Sequence, residues 1–342
     1  MAPPAHGWTH TLPTIVAPGA LLAAFLLAVV NFFGMRGADL HGPVVQTYFS
    51  WIPVGDLQIE SAGESGRQIY SDVGKPAKVV NLIHQQMERA QEQKLDHICR
   101  KLMLKPGERL LDIGCGWGAL VLWAAAHYKV RATGITLSQN QYDHAAKAIN
   151  DAGLGDLCEV KLLDYRDVPE DESFDKISSV GMFEHVGRKN FPVYFGKIAR
   201  LLKPGGLVMN HGITLNSVDG QELGSDIGSF IDEYVFPGGE LTHVSRVVSE
   251  MSERGLEACD IESLRPHYAR TLWQWVGRLE CQQEAAIAAV GEKAYRIWRI
   301  YMAGSAHAFE RGWMSVYQIL AGKPFADGRL GAAATREHIY AP

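Results

Sequence analysis

The stretch Arg109–Ser138, RLLDIGCGWGALVLWAAAHYKVRATGITLS, decides the fold of this 342-residue chain. Residues 109–113 are apolar enough for a buried parallel strand. The alanines and leucines of 119–127 favour a helix, and the β-branched residues of 130–136 favour a second strand. The stretch therefore predicts a βαβ unit, whose crossover is expected to be right-handed.

A glycine-rich turn follows the first strand of this unit. Its residues are Asp112, Gly114, Gly116 and Gly118, in the sequence DIGCGWG. Glycines let the backbone turn sharply and approach a ligand with no Cβ atom in the way. The spacing Gly-x-Gly-x-Gly differs from the Gly-x-Gly-x-x-Gly of dinucleotide enzymes, and no Gly-Lys-Ser/Thr follows as a P-loop requires. It resembles motif I of class I S-adenosylmethionine (SAM)-dependent methyltransferases, so we expect the turn to bind SAM.

Helices and strands continue to alternate after this unit. Helices are predicted at 75–104, 139–150, 191–202 and 243–254, and again between the strand at 258–264 and about residue 308. Further strands are predicted at 158–163, 176–180, 207–211, 258–264 and 316–320. Residues 203–206, KPGG, predict a turn before the fifth strand. The order predicts an α/β fold with a doubly wound, seven-stranded, mostly parallel sheet of Rossmann-like type, and an inserted substrate lid at about 214–240.

The composition excludes some classes of protein. The net charge is −5, which gives no indication of a nucleic-acid partner. The five cysteines form neither a paired framework nor a CxxC metal pattern, which indicates a reducing, cytoplasmic setting and no metal site. The sequence is compatible with a homodimer.

The N-terminal region is unusually apolar. No charged residue occurs from Thr11 to Met35, and the centre reads GALLAAFLLAVVNFF, which predicts a membrane anchor. Arg36 follows the segment and no lysine or arginine precedes it, so the rest of the chain is expected on the cytoplasmic side. A buried core helix is the alternative, whereas a cleaved signal peptide is disfavoured because positive charge is missing ahead of the segment.

These features divide the chain into four regions. They are an apolar anchor at 1–36, a linker and partial lid at 37–89, the main domain at 90–322 and a tail at 323–342 that lacks a core pattern.

Polar residues follow the second and third predicted strands, where open α/β sheets bind ligands. Thr136, Leu137, Ser138 and Gln141 come after the second strand, and we expect this group to hold the ribose of the cofactor. Asp164 and Tyr165 follow the third strand and could provide a carboxylate for the adenine amine and a ring for stacking. For Asp164 the alternative is a helix cap.

The fourth and fifth strands end in a second polar group. Glu184 and His211 lie where a buried polar side chain is unfavourable without a partner or a task. For His185, packing is as good an explanation as function.

Several motifs together identify a family resemblance. The chain resembles the cyclopropane-fatty-acid synthases and mycolic-acid methyltransferases over about residues 90–320, through LLDIGCGWGALVLWAA, GITLSQNQ, VGMFEHVG, LLKPGGLVMNHGIT, EYVFPGGEL and LRPHYARTL. The resemblance implies transfer of a methyl group from SAM to the double bond of an acyl chain in a membrane phospholipid. The resulting carbocation then loses a proton and closes a cyclopropane ring.

The resemblance also implies a catalytic group. Members of the family hold a bicarbonate ion as general base, and its ligands match Glu184, His211, Tyr268 and the backbone of Ile213. An anion in an apolar pocket stabilises a nearby cation strongly. Aromatic side chains that could assist are Trp117, Phe183, Phe236 and Tyr268.

One part of the family pattern is missing. Members carry a Tyr-Ser-Cys-Ala-Tyr lid segment ahead of an AQ-x-x-K helix, whereas this chain has Tyr70-Ser71-Asp72 and no cysteine before Cys99. Two alternatives to lipid methylation therefore stay open. They are an amine N-methyltransferase similar to those of plant alkaloid synthesis, and a catalytically inactive protein that binds SAM or lipid.

Replacing Gly116 by a bulkier residue, as in Gly116→Val, is expected to weaken SAM binding, because a side chain would occupy the space that the turn leaves for the ligand. Calorimetric titration with SAM measures the effect. An unchanged affinity would count against this turn as the SAM site.

Overall fold

The computed structural model describes residues 77–171, 173–218, 230–236 and 239–340. The predicted anchor at 11–35, the Tyr70-Ser71 segment and much of the predicted insertion at 214–240 lie outside these residues. Within them, no helix combines the length and the apolar character needed to cross a bilayer.

The described elements follow the predicted order. The strands are β1 Arg109–Ile113, β2 Arg131–Thr136, β3 Cys158–Leu162, β4 Phe174–Val180, β5 Leu202–Leu215, β6 Glu257–Ser263 and β7 Met314–Gly322. The helices are α1 Ala77–Lys101, α2 Ala119–Trp123, α3 Gln139–Asp151, α4 Phe191–Leu201, α5 Val244–Glu253, α6 Arg265–Cys281, α7 Gln283–Arg311 and α8 Glu337–Tyr340. The predicted boundary between residues 89 and 90 falls inside α1.

The strands form one seven-stranded sheet in the order β3-β2-β1-β4-β5-β7-β6. β1 to β5 are parallel, and β7 is antiparallel to both β5 and β6. The predicted doubly wound, mostly parallel fold is therefore confirmed. Strand order reverses between β1 and β4, where such sheets bind ligands at the carboxyl ends of the strands.

Helices cover both faces of the sheet because its strands are apolar on both sides. On one face, Ile98 and Leu102 of α1 belong to a buried cluster with Met209 and Leu320 of the sheet. On the other face, α4 and α5 pack over residues such as Ile177 and Val208, with Phe195 and Met251 in the same cluster.

A third apolar cluster lies beyond the sheet. β5 and β7 extend past their neighbours, and residues near their ends, Ile213 and Val316, join a cluster with α6 and α7. Tyr268 of α6 and Trp298 of α7 belong to it. Part of the predicted insertion, Val235 and Phe236, also packs there, so the functional edge of the sheet has an apolar cover.

Two local features differ from the sequence expectation. Residues 203–206, predicted as a turn before the fifth strand, form an irregularity within β5, where Leu202 still pairs with Phe174 before the regular register resumes at Leu207. The tail lacks a core pattern, yet Ile339 of α8 is buried and the Tyr340 hydroxyl donates a hydrogen bond to Glu262.

An ion cluster fastens α1 to the edge strand β6. The Lys101 side chain is fully buried, with Nζ 2.5 Å from Glu262 Oε2 and 3.2 Å from Asp260 Oδ2. His97 contacts Glu262, and Arg336 contacts both carboxylates. Removal of one partner from a buried cluster leaves unmatched charge, which is strongly unfavourable.

Lys101→Met is expected to lower the free energy of unfolding by about 3 kcal/mol, because Asp260 and Glu262 lose their buried cation. Urea denaturation measures the change. The control is Lys147→Met, which removes an exposed pair with Asp151 in α3 and should change stability by less than about 1 kcal/mol. Equal effects of the two substitutions would contradict the stabilising role of the buried cluster.

Candidate active site

The glycine-rich turn has the backbone conformation that its sequence predicts. Gly114, Gly116 and Gly118 have φ angles of 76°, 55° and 85°, all in the left-handed region that favours glycine. A Cβ atom on Gly118 would lie 2.9 Å from Cβ of Ala145 in α3. The turn therefore packs against α3, and the backbone N–H groups of Gly114 and Cys115 bond to the Ile135 carbonyl at the end of β2.

Asp112 points beneath α1. Its Oδ1 accepts a hydrogen bond of 2.7 Å from Ser178 Oγ on β4, and burial raises its pKa to about 6. Lys94 of α1 interacts electrostatically with this carboxyl group, and burial lowers the pKa of Lys94 to about 8. The predicted cofactor residue is thus held between β1, β4 and α1.

The residues predicted to hold ribose form one hydrogen-bonded group after β2. Thr136 Oγ1 and Gln141 Oε1 lie 2.7 Å apart, and the Ser138 side chain caps α3 by accepting from Gln141 N. Leu137 lies between them and is exposed. These hydrogen bonds hold the side chains of the group in place at the carboxyl ends of the strands.

Asp164 and Tyr165 lie at the end of the next strand. Asp164 caps the short helical turn of residues 165–167 and pairs with the Arg166 guanidinium, whose hydrogen bond holds the pKa of Asp164 below its usual value. The contacts of Asp164 are therefore those of a helix cap, the alternative that the sequence also offered. Tyr165 is half-buried and meets the Tyr194 ring edge-on, with centroids 5.3 Å apart.

Glu184 lies buried just beyond β4. Its Oε1 accepts a hydrogen bond of 2.7 Å from the backbone N–H of Ile213, and its Oε2 has no hydrogen-bond partner among the described residues. Burial raises its pKa to about 7. A Cβ atom on Gly212 would lie 1.9 Å from the Phe183 ring and 2.9 Å from Glu184 Oε1, so the glycine permits this approach.

His211 and Tyr268 form the other half of this group. His211 Nε2 and the Tyr268 hydroxyl lie 2.7 Å apart, and both residues are buried. Burial, with smaller effects from Lys94, Lys101 and His97, lowers the pKa of His211 to about 3, so the ring is neutral at pH 7. Burial, and next the negative charge of Glu184, raises the pKa of Tyr268. The four residues predicted as catalytic therefore lie together.

Aromatic rings surround part of this group. Phe236 meets Tyr301 and Trp298 edge-on, with centroid distances of 5.5 and 6.4 Å. Burial raises the pKa of Tyr301, and Glu184 adds to the rise. Of the other predicted aromatic residues, Trp117 stands edge-on to His144. Phe183 packs against Phe191 in the core, beneath the Gly212 backbone.

Four residues near the site were not predicted: the buried Lys94, Ser178 and Gln318, and the partly buried Tyr301. A signal existed for Gln318, which interrupts the apolar sequence VYQILAG. A signal also existed for Lys94, which lies seven residues after Met87 and four before Ile98, on the apolar face predicted for this helix. Tyr301 lies in a helical sequence with aromatic residues on several sides and has no such signal.

Comparison with known proteins agrees with this architecture. Residues 81–319 match the family described as mycolic acid cyclopropane synthetase. The chain belongs to this family. The membership expected from the motifs is confirmed.

Curated relatives include lipid-modifying enzymes. A probable fatty acid methyltransferase of Pseudomonas putida is 51% identical over 254 residues, 74% of this chain and 64% of the relative. The cyclopropane-fatty-acyl-phospholipid synthase of Escherichia coli is 35% identical over 242 residues, 71% of this chain and 60% of the relative. The chain thus spans less than two thirds of the length of these relatives.

Solved structures support the same fold. The cyclopropane synthase MmaA2 from Mycobacterium tuberculosis aligns with a TM-score of 0.65 at 34% identity, over 69% of this chain and 85% of that one. A mycolic acid cyclopropane synthase complexed with SAH and CTAB aligns with a TM-score of 0.65 at 32% identity, with the same coverage.

Glu184→Gln is expected to change how the free energy of unfolding depends on pH. The pKa of the folded state, about 7, exceeds the ordinary 4.5, so stability present below pH 4.5 is lost as the pH rises through 7. Glutamine has no proton to lose, so the variant should gain about 3 kcal/mol on wild type between about pH 4 and about pH 8.

Denaturant titrations at both pH values measure the difference, with the exposed Glu257→Gln as the control for loss of one carboxylate. The same pH dependence in Glu184→Gln and wild type would contradict the raised pKa.

Proposed function

We propose that the protein transfers a methyl group from SAM to the double bond of an unsaturated acyl chain of membrane phospholipid. The carbocation so formed loses a proton to a general base, which gives a cyclopropane ring, a methylene group or a methyl-branched chain that keeps a double bond. The observation that carries the proposal is the buried group of Glu184, His211 and Tyr268 at the ligand-binding edge of the sheet. Family membership and the names of the relatives support the lipid substrate.

SAM would lie across the glycine-rich turn, with its ribose near Thr136, Leu137 and Gln141 and its adenine near Asp164 and Tyr165. The left-handed glycines support this position because their backbone leaves space for a ligand. Asp112 would act indirectly, since its carboxylate is bonded to Ser178. SAM supplies the methyl group and its positive charge.

The buried polar group fits a small anion such as bicarbonate. A carboxyl group whose pKa lies near 7 is partly protonated in neutral solution, and a Tyr268 hydroxyl with a raised pKa keeps its proton. Both can therefore donate hydrogen bonds, and the Ile213 N–H holds the Glu184 carboxyl group in place through its bond to Oε1. Bicarbonate would supply the general base when bound.

The surroundings suit a carbocation. Phe236 and Tyr268 present aromatic faces within a cluster of buried apolar residues. Such a site excludes water, which would otherwise trap the cation, and strengthens each electrostatic interaction in it. The negative charge available from Glu184 lies beside the same cluster.

The predicted N-terminal anchor extends the proposal to the location of the protein. An apolar segment at 11–35 would hold the catalytic domain at the cytoplasmic membrane surface, close to acyl chains.

Incubation with labelled SAM and vesicles of unsaturated phospholipid tests the reaction. Mass spectrometry of the acyl chains is expected to show a methyl, methylene or ring product. SAM binding without any lipid product would contradict the proposal, and turnover of amines in its place would favour an N-methyltransferase.

Glu184→Gln and His211→Ala should each lower turnover more than tenfold, equivalent to about 1.4 kcal/mol of barrier, with SAM affinity nearly unchanged. Both residues lie in the polar group rather than in the glycine turn, which is why binding and turnover should separate. Initial rates and calorimetry measure the two quantities. Wild-type turnover in both variants would refute the catalytic assignment.

A further inference from the structure

A row of polar side chains crosses the sheet beneath α1. Strand pairing sets His211 of β5 opposite Gln318 of β7, and Gln318 opposite Glu262 of β6. Residues directly opposite one another project from the same face of a sheet. This is the face that α1 covers, because Lys101 and His97 of α1 both contact Glu262.

Gln318 is an unusual residue for this buried position because its side chain is a polar amide. Its side chain is completely buried, and neither Nε2 nor Oε1 has a hydrogen-bond partner among the described residues. A buried amide without hydrogen bonds is unfavourable. Val316 and Leu320, which share its face of β7, are the apolar residues that such a position ordinarily holds. A buried amide at this position calls for a hydrogen-bond partner that an aliphatic side chain would not need.

His211 also lacks a hydrogen bond at one of its ring nitrogens. Its Nε2 is engaged by the Tyr268 hydroxyl, whereas its buried Nδ1 has no hydrogen-bond partner within the described ranges. A neutral imidazole has one N–H donor and one acceptor nitrogen. Whichever of these Tyr268 uses, the other is left at Nδ1. An amide can serve either form, since it contains both a donor and an acceptor.

Glu262, at the opposite end of the row, already has hydrogen-bond and ion-pair partners. Glu262 receives hydrogen bonds from Tyr340 and is paired with His97 and Lys101. This ion cluster closes the row where β6 forms the edge of the sheet. Gln318 thus lies between a satisfied carboxylate and a histidine with one nitrogen still to be matched.

We propose that Gln318 is a positioning residue for His211: its side-chain amide is joined to Nδ1 of the ring through one enclosed water molecule, and so holds Nε2 toward Tyr268. The inference rests on the proposed role of His211 in the reaction. A ring secured at both nitrogens keeps one tautomer and one orientation, as second partners do for histidines in other sites.

Gln318→Met keeps the size of the side chain and removes the amide. Turnover is expected to fall about tenfold with KM for lipid and SAM affinity close to wild type, because the imidazole is no longer held in place. The control is Ser315→Ala, a buried change on the opposite face of β7 that removes only a hydrogen bond to Ser263. Equal turnover in Gln318→Met and wild type would overturn the proposal.

Nuclear magnetic resonance of the histidine ring nitrogens gives a test independent of activity. The ¹⁵N signals of His211, identified by their loss in His211→Ala, are expected to shift in Gln318→Met and to remain in place in Ser315→Ala. Unmoved signals in Gln318→Met would overturn the inference.

The two measurements separate the inference from the proposed function. Loss of turnover in His211→Ala with unmoved ring signals in Gln318→Met would overturn only the role of Gln318. Shifted ring signals in a wild-type protein that gives no lipid product would overturn only the proposed reaction.

A further measurement needs no substitution at position 318 and stands if Gln318→Met does not fold. In the wild-type protein, a nuclear Overhauser effect is expected between the His211 ring and the side-chain amide protons of Gln318. Its absence would overturn the proposal.

Discussion

The hydrogen bond from the Ile213 N–H to Glu184 Oε1 is the contact on which the site depends. It joins the turn after β4 to the outer part of β5, and it forms only because Gly212 lets the Phe183 ring approach the backbone. The same extension of β5 carries His211 and pairs with β7. One strand therefore positions the carboxyl group, the imidazole and, through its partner strand, Gln318.

Burial then decides the charge of each member of the group. Removal from water disfavours ionised forms, which raises the pKa values of Glu184 and Asp112 and lowers that of His211. The result at neutral pH is a set of largely uncharged hydrogen-bonding groups in an apolar enclosure. Such an enclosure is suited to a reaction that creates charge, because little solvent is present to compete with the protein.

The ion cluster of Lys101, Asp260 and Glu262 lies apart from the group of Glu184 and His211 and stabilises the fold. It lies at the edge strand, connects α1 and the tail to the sheet, and pairs its charges with one another. Lys101 Nζ lies 2.5 and 3.2 Å from carboxylate oxygens of opposite charge, whereas Glu184 Oε2 and His211 Nδ1 have no hydrogen-bond partner among the described residues.

Local patterns predicted much of this molecule. The strand at 109–113, the glycine spacing after it and the alternation that follows were sufficient for the βαβ unit and the seven-stranded sheet, because strand and helix periodicities are properties of short segments. The family motifs led to Glu184, His211 and Tyr268, whose role in catalysis stays a prediction. The tail was not predicted to pack, since Ile339 and Tyr340 find their contacts only on distant elements.

The sequence by itself determined the fold class and the glycine-rich turn, since these follow from residue types and spacing along the chain, and the family motifs supplied the predicted site residues. Only the tertiary structure decided which polar groups meet. Asp112 is bonded to Ser178, and Gln318 lies across from His211. These pairings depend on strand register between segments as many as 107 residues apart, from His211 to Gln318. No local pattern encodes that register, because cross-strand neighbours are set by how the whole sheet is assembled.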